Sequence, residues 1–493
     1  MAVAILQVIA ALLFGFFGTI NLTACFQATI LDSSGPTLSQ DAQIYFPGSE
    51  GFANATLRWS AAIKPGFDAI VRVATEEDIQ HTIRYANAHN RPFLAISGGH
   101  GTNSALNLFQ AGIGIWMRGM NGVRIVDDGT AAIIGGGTDS GEVTAALWPQ
   151  GKQTVALGCD CPGFIAPVLG GGHGWLQGRY GLLADNLISA RMVLANGTAI
   201  TVSETEHVDL FWAIRGAGHN FGIVTSIKYR IYDRNADQDQ WAAAGFTFTH
   251  DKLEKVFSKA NEWLHRPTRP VELTHYPTFV NNPDIDPDMP VIVFWIFWQG
   301  DTIPAEYTTP MHALDPVSIS TSVTDLAGMN THLGAAYGLA ACQKGYSHLQ
   351  YPVSLNEWNA SNLRAVLEIF SSMPRAFNSS VMLLEAYAMN RVNEIPNDST
   401  AYPDRDGQLL LSPIMTYAAN ESLDETAVAV SKKIRYTLLN GTGLPLNAYV
   451  NYAYGDESLQ EIYGHEPWRL EKLRKLKKEY DPHGRFNFYA PIK

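Results

Sequence analysis

A chain of 493 residues exceeds the ~250–300 at which one hydrophobic core stops growing, so two domains, or one with a large insertion, are expected. Hydrophobic residues make up 46% and charged residues 17%, the balance of a globular protein without a long polar tract. The net charge of -12 excludes nucleic acid as the natural partner, because phosphate binding needs a basic face.

In chain order, the first element is a mostly apolar run from Met1 to about Ile20, with no charged side chain before Asp32. Small residues follow near Thr23-Ala24, so residues 1–24 read as a signal peptide and the chain as secreted. The alternative is an uncleaved membrane anchor, since the run approaches the ~20 residues that span a bilayer. With the signal removed, no stable membrane association is expected. Asn-x-Ser/Thr sequons at Asn54, Asn196, Asn359, Asn378, Asn397, Asn420 and Asn440 support export and glycosylation. The cysteines, Cys25, Cys159, Cys161 and Cys342, do not suggest a disulfide framework.

After an N-terminal segment (25–63), residues 64–233 read as mixed helix and strand. Ala69–Val73 suits a strand, and Thr75 with Asp78 three residues later suits a helix cap. Ile79, Ile83 and Ala86 continue that helix, and Pro92–Ile96 gives the next strand. Short strands are predicted at Ile113–Met117, Val123–Val126 and Ala131–Ile134, then a hairpin around Asn196-Gly197, a pair suited to a type I′ turn. Phe221–Ile231 is a further strand. Residues 234–445 change character: they are rich in Trp, Phe and Tyr and lack glycine clusters, with a strand at Val291–Trp298 and a helix at Leu253–Trp263. Residues 446–493 carry Tyr449-Val-Asn-Tyr452 and a helix over Pro467–Tyr480. Its Lys472, Arg474, Lys475, Lys477 and Lys478 read as a solvated face, with Leu470, Leu473 and Leu476 turned inward.

Four glycine loops lie between Gly98 and Gly222. They are Ser97-Gly98-Gly99-His100-Gly101, Gly135-Gly136-Gly137-Thr138, Leu169-Gly170-Gly171-Gly172-His173-Gly174 and Arg215-Gly216-Ala217-Gly218-His219-Asn220-Phe221-Gly222. Glycine permits close backbone approach, so successive N–H groups can converge on a pyrophosphate. None of the loops is the dinucleotide fingerprint G-x-G-x-x-G in its strand–helix setting, and no Walker lysine motif is present, which disfavours a nicotinamide cofactor. His173 and His219 lack the accompanying ligands of a metal site, so no metal is expected.

These motifs, with Asp209-Leu-Phe-Trp-Ala-Ile-Arg-Gly-Ala-Gly and the C-terminal Tyr-x-Asn-Tyr, resemble the berberine bridge enzyme-like flavoproteins of the vanillyl alcohol oxidase (PCMH-type) superfamily. The particular flavour is similar to fungal secondary-metabolite oxidases. The resemblance implies an α+β fold: a two-part FAD-binding domain (64–233), an antiparallel-sheet substrate domain backed by helices (234–445), and a C-terminal segment (446–493) that completes the flavin domain. It implies an FAD-linked oxidoreductase acting on a small molecule by hydride transfer to flavin N5, with O₂ as the expected acceptor. A carbohydrate oxidase is the alternative, and a non-redox cyclisation or binding protein a more remote one.

The resemblance places the flavin 8α tether on His100. Family spacing puts a second tether at Cys159, although Cys161-Pro-Gly-Phe-Ile-Ala-Pro167 departs from the family's small-residue stretch; a free thiol or a bond to Cys161 are the alternatives. The cofactor set comprises Ser97, Gly98, Gly99, His100, Gly101, Gly137, Thr138, Cys159, Gly170, Gly171, Gly172, His173, Gly174, Asp185, Asn186, Gly222, Ile223 and Val224. The catalytic set comprises Tyr449, Asn451 and Tyr452, with Tyr452 as a phenolate base whose ordinary pKa near ~10 must be depressed. The family's pocket strand, Leu409–Ile414 here, carries no acid or amide, so a less polar pocket and an aromatic, polyketide or terpenoid-like substrate are expected.

Overall fold

The computed structural model describes residues 35–493, so the predicted signal at 1–24 and Cys25 lie outside the described residues. Its first sheet has the strand order Gln43–Tyr45, Phe67–Arg72, Gly112–Trp116, Phe93–Ile96, the last three parallel. Parallel strands in one sheet need a crossover, and the helix Glu76–Ala88 supplies the one from Phe67–Arg72 to Phe93–Ile96, which flank Gly112–Trp116. Thr75 and Asp78 form a reciprocal capping box at its start, and Ile79, Ile83 and Ala86 pack on Val71, Ile113 and Ile115.

The second sheet is antiparallel, in the order Val123–Val126, Ala131–Gly135, Ile223–Arg230, Leu187–Val193, Ala199–Ser203. The last two strands form the expected hairpin, but only Gly197 of its loop has positive φ (79°). A type I′ turn needs two such residues, so that turn type is corrected; Gly197 N–H donates to Leu194 O instead. The helix Val208–Ala217 and the C-terminal helix Pro467–Tyr480 share this sheet's core through Leu210, Ile214, Leu470, Leu473 and Leu476. Lys477 departs from the solvated-face reading. It is buried, and its Nζ donates to Asp481 Oδ2 (2.7 Å), Asn220 O (2.9 Å) and Phe486 O (3.0 Å), fastening the C-terminal segment to the last glycine loop.

The third sheet is antiparallel and eight-stranded: Ser318–Asp325, Gln240–Phe248, Val291–Gln299, Leu273–Val280, Val381–Glu385, Leu409–Ala418 and Tyr346–Gln350, with Val353–Leu355 also on Leu409–Ala418. Side chains alternate across a strand, so each strand serves two faces. Phe246, Phe279, Phe294, Met382 and Leu384 bury against the helices Leu253–Leu264, Ala360–Ser371 and Asp424–Leu439. Each such side chain contributes roughly 1.5–3 kcal/mol of burial free energy. Their neighbours Val280, Val293, Trp295, Val381, Leu383 and Glu385 face the other way, into a cavity shared with the glycine loops.

Candidate functional site

The cavity has a volume of about 850 Å³. Ser97–Gly101, Gly136, Leu157–Cys159 and Gly222–Val224 form its flavin-domain walls, the third sheet faces them, and Tyr449, Asn451 and Tyr452 close it from the C-terminal segment. Tyr449–Tyr452 is a turn rather than a core strand, with Tyr452 N–H bonded to Tyr449 O. That turn brings both phenols to the same corner, 5.0 Å between ring centres.

At one end, the loop after strand Phe93–Ile96 presents His100. Gly98 must be glycine there, because a Cβ would stand 2.6 Å from Cys161 O and 2.7 Å from Gly163 N; Gly99 adopts φ 74°. His100 Nε2 is buried without a hydrogen-bond partner. Burial, then Lys344, His348 and Arg58, lower the His100 pKa to about 3, so the imidazole is neutral and keeps a nucleophilic lone pair.

At the other end, Glu385 terminates the strand Val381–Glu385 and is fully enclosed. Its Oε1 accepts from the hydroxyls of Tyr276 (2.9 Å) and Tyr387 (3.0 Å), and the Tyr452 hydroxyl stands close enough to interact with the same carboxyl group. Oε2 has no partner. Burial raises the Glu385 pKa to about 7, and burial followed by the Glu385 charge pushes Tyr452 well above the ordinary phenol value. The expectation of a pocket without an acid is therefore corrected. Leu409–Ala418 indeed offers none at this height, but Leu410 pairs in register with Glu385 on the adjacent strand. The signal for it was present: an acid set among apolar residues in Val381-Met-Leu-Leu-Glu385-Ala-Tyr387 has to find partners inside the protein.

Other predicted residues are brought to the site unevenly. His173 and His219 line the cavity. His173 bonds Gln177 and Tyr402, each at 3.0 Å, and His219 Nε2 lies 3.4 Å from Asn451 Oδ1; burial lowers both pKa values to about 4. Gly137, Thr138, Gly170, Gly171, Gly172 and Gly174 stand behind the wall rather than on it. Gly170 and Gly171 let Asn451 and Tyr402 approach the backbone, and Thr138 Oγ1 bonds Gly122. Asp185 and Asn186 also lie off the cavity. Asp185 is locked in a buried ion pair with Arg405 (2.7 Å), and Asn186 bonds Leu182 O and Tyr232 Oη. Both hold the chain that supports the site.

Cysteine pairing is also corrected. Cys161 and Cys342 form a disulfide, with Cα atoms 5.8 Å apart across 181 residues, and Cys159 is left as a free thiol lining the cavity. Burial raises the Cys159 pKa to about 11. The spacing of two residues between Cys159 and Cys161 concealed this partner, which comes from a distant loop. These three sulfurs form the one group of metal-ligand type found among the described residues, and the disulfide engages two of them.

The residues present fit a flavin. The cavity is large and mostly apolar, glycine-lined where the backbone must come close, and bordered by orphaned polar atoms such as Ser97 Oγ, His100 Nε2 and the Nε atoms of Arg58 and Arg485. Comparison with known proteins agrees. Residues 67–203 match the FAD binding domain family and residues 448–493 the berberine and berberine-like family. FAD-linked oxidoreductase chry5 of Gibberella zeae is 39% identical over 481 residues, covering 92% of this chain and 93% of its own. FAD-linked oxidoreductase chyH of Penicillium rubens is 40% identical over 466 residues, covering 92% of each. In fold, the chain is similar to glucooligosaccharide oxidase from Acremonium strictum, with a TM-score of 0.77 at 21% identity, covering 96% of this chain and 98% of that one. With that extent of identity to its fungal relatives, the chain belongs to the berberine bridge enzyme-like family and is an FAD-dependent oxidoreductase.

Proposed function

We propose that the chain carries FAD tethered to His100 and oxidises a neutral, largely apolar alcohol or C–H donor of secondary metabolism, with Tyr452 and Glu385 taking the proton. Bound FAD supplies the hydride acceptor. The single observation that carries the reading is the enclosed Glu385 with its three phenols at the end of the cavity away from His100. An ionised carboxylate accepts the Tyr452 proton as Tyr452 accepts the substrate's, so Tyr452 relays and never stands as a free phenolate. This replaces the phenolate base expected above: burial, then the charge of Glu385, oppose ionisation of Tyr452. O₂ is the electron acceptor this reading expects, with hydrogen peroxide as the reduced product.

Substrate class follows from the remaining wall. Val280, Val293, Trp295, Val381, Leu383 and Ile414 form an apolar belt, with Thr278, Thr416, Ser379, His332 and Gln350, which pairs with Ile414, as its polar margin. A sugar would leave most of its hydroxyls unpaired along such a belt. Peroxide release with apolar phenolic or polyketide alcohols, and none with oligosaccharides, is the expected result; the reverse would contradict the reading.

Cys159 supports a second tether. It is the free thiol of the cavity, close enough to Tyr452 to act on it electrostatically. The Acremonium strictum oxidase is described as having 6-S-cysteinyl, 8α-N1-histidyl FAD. Export is part of the same proposal. Asn54, Asn196, Asn378, Asn420 and Asn440 are exposed, whereas Asn359 caps a helix and Asn397 Nδ2 bonds Glu466. A mobility shift on deglycosylation of the expressed full chain tests it.

A further inference from the structure

The segment 57–61 lies ahead of the matched flavin domain and grips the loop that carries His100. Trp59 N–H donates to Gly99 O (3.1 Å) and Arg58 Nη2 donates to Gly101 O (2.6 Å), so the loop is held on both sides of the histidine. The Trp59 ring stacks on His100 with centroids 5.2 Å apart and planes 15° apart. Its ring also stacks with His348 at 4.2 Å and 10°. Trp59 is itself fixed: it is buried, and its Nε1 donates to Ala341 O at 2.9 Å. Ser60 completes the clamp, since its Oγ donates to His348 O (2.7 Å) and accepts from His348 N–H (3.0 Å).

We propose that Trp59, backed by His348, is the positioning residue for flavin attachment, setting the plane of the His100 ring so that its nitrogen meets the flavin methyl group. The proposal rests on the reading that His100 carries the flavin. An imidazole with no hydrogen bond at Nε2 turns freely about its side-chain bonds unless a neighbour restricts it, and an aromatic face does so without using the lone pair. Restricting the ring to an attacking geometry speeds a bond-forming step by avoiding the entropy of finding it. Burial, helped by Lys344 and Arg58, which are anchored beside the stack at Leu57 O and Gly101 O, keeps the imidazole neutral and so nucleophilic. In attachment, one methyl C–H and the imidazole N–H are replaced by one C–N bond. The two electrons and two protons released pass through the cofactor to O₂, giving hydrogen peroxide.

The test uses the purified full chain carrying Cys159→Ser, so that acid-stable flavin reports the His100 link, and divides its flavin into acid-released and acid-stable fractions, with thermal unfolding measured alongside. In Trp59→Leu the acid-stable fraction falls on the order of tenfold, and acid-released FAD takes its place. Trp59→Phe restores at least half of the wild-type acid-stable fraction, because it keeps the stacking face. His348→Leu loses acid-stable flavin to a smaller degree, and it serves as the deciding variant if Trp59→Leu does not fold. Wild-type acid-stable flavin in the deciding variant would overturn the proposal, as would equal loss of both fractions, which marks a merely structural role. Absence of acid-stable flavin on wild-type His100 would instead sink the tether reading, and the proposal with it.

Discussion

The two ends of the flavin cavity are both buried, yet burial acts on them in opposite ways. Around His100 the charged neighbours are Arg58 and Lys344, and they act with burial to keep the imidazole unprotonated. Around Tyr452 the ionisable partner is Glu385, where burial holds a proton on the carboxyl group until about pH 7. The first arrangement suits a nucleophile that reacts once; the second suits a base that must cycle. The difference teaches that the same desolvation can fix one protonation state or poise another, depending on which charges it encloses.

The comparison breaks most visibly at the base. Glu385→Gln and Tyr452→Phe are each expected to lower kcat by ~10²–10⁴-fold, and the double variant by little more than the worse single one, since the two groups form one relay. Independent, multiplying losses in steady-state kinetics would break the pair apart. At the other end, His100→Ala in a Cys159→Ser background is expected to abolish acid-stable flavin while lowering kcat on the order of tenfold, because orientation is lost and the base remains. A loss as large as that of Glu385→Gln would merge the two roles.

The pH profile sharpens the contrast. Glu385 must be ionised to accept the proton, so kcat/KM should fall as pH drops below about 7, and this limb should disappear in Glu385→Gln. The smallest effect is on stability. Because the folded pKa of Glu385 is raised above its unfolded value near 4.5, its contribution is present at acid pH and lost as pH rises through about 7. Glu385→Gln should therefore stabilise the protein by about 1–3 kcal/mol at pH 8 and by less at pH 5, measured by chemical unfolding. Equal stability at both values would show that the carboxyl group is not strained by burial.

Legibility in the sequence followed the range of the interactions. The helix Pro467–Tyr480 and the capping box at Thr75 depend on neighbours three or four residues away, and local pattern found both. His100 and Tyr449–Tyr452 were visible because glycine and tyrosine motifs mark them. Glu385, Cys342 and Trp59 were not, since each matters only through partners that folding brings from far along the chain: Tyr452, Cys161 and His100. Lys477 failed for the same reason, its helix position being solvent-like by spacing but covered by the segment around Asp481 and Phe486.

The most direct measurement is peptide mass spectrometry of the acid-precipitated full chain expressed with its own N-terminus. The account predicts an FAD adduct on the peptide that contains His100, present whether or not Cys159 is also modified. An unmodified His100 peptide, with all flavin released into the acid supernatant, would contradict it.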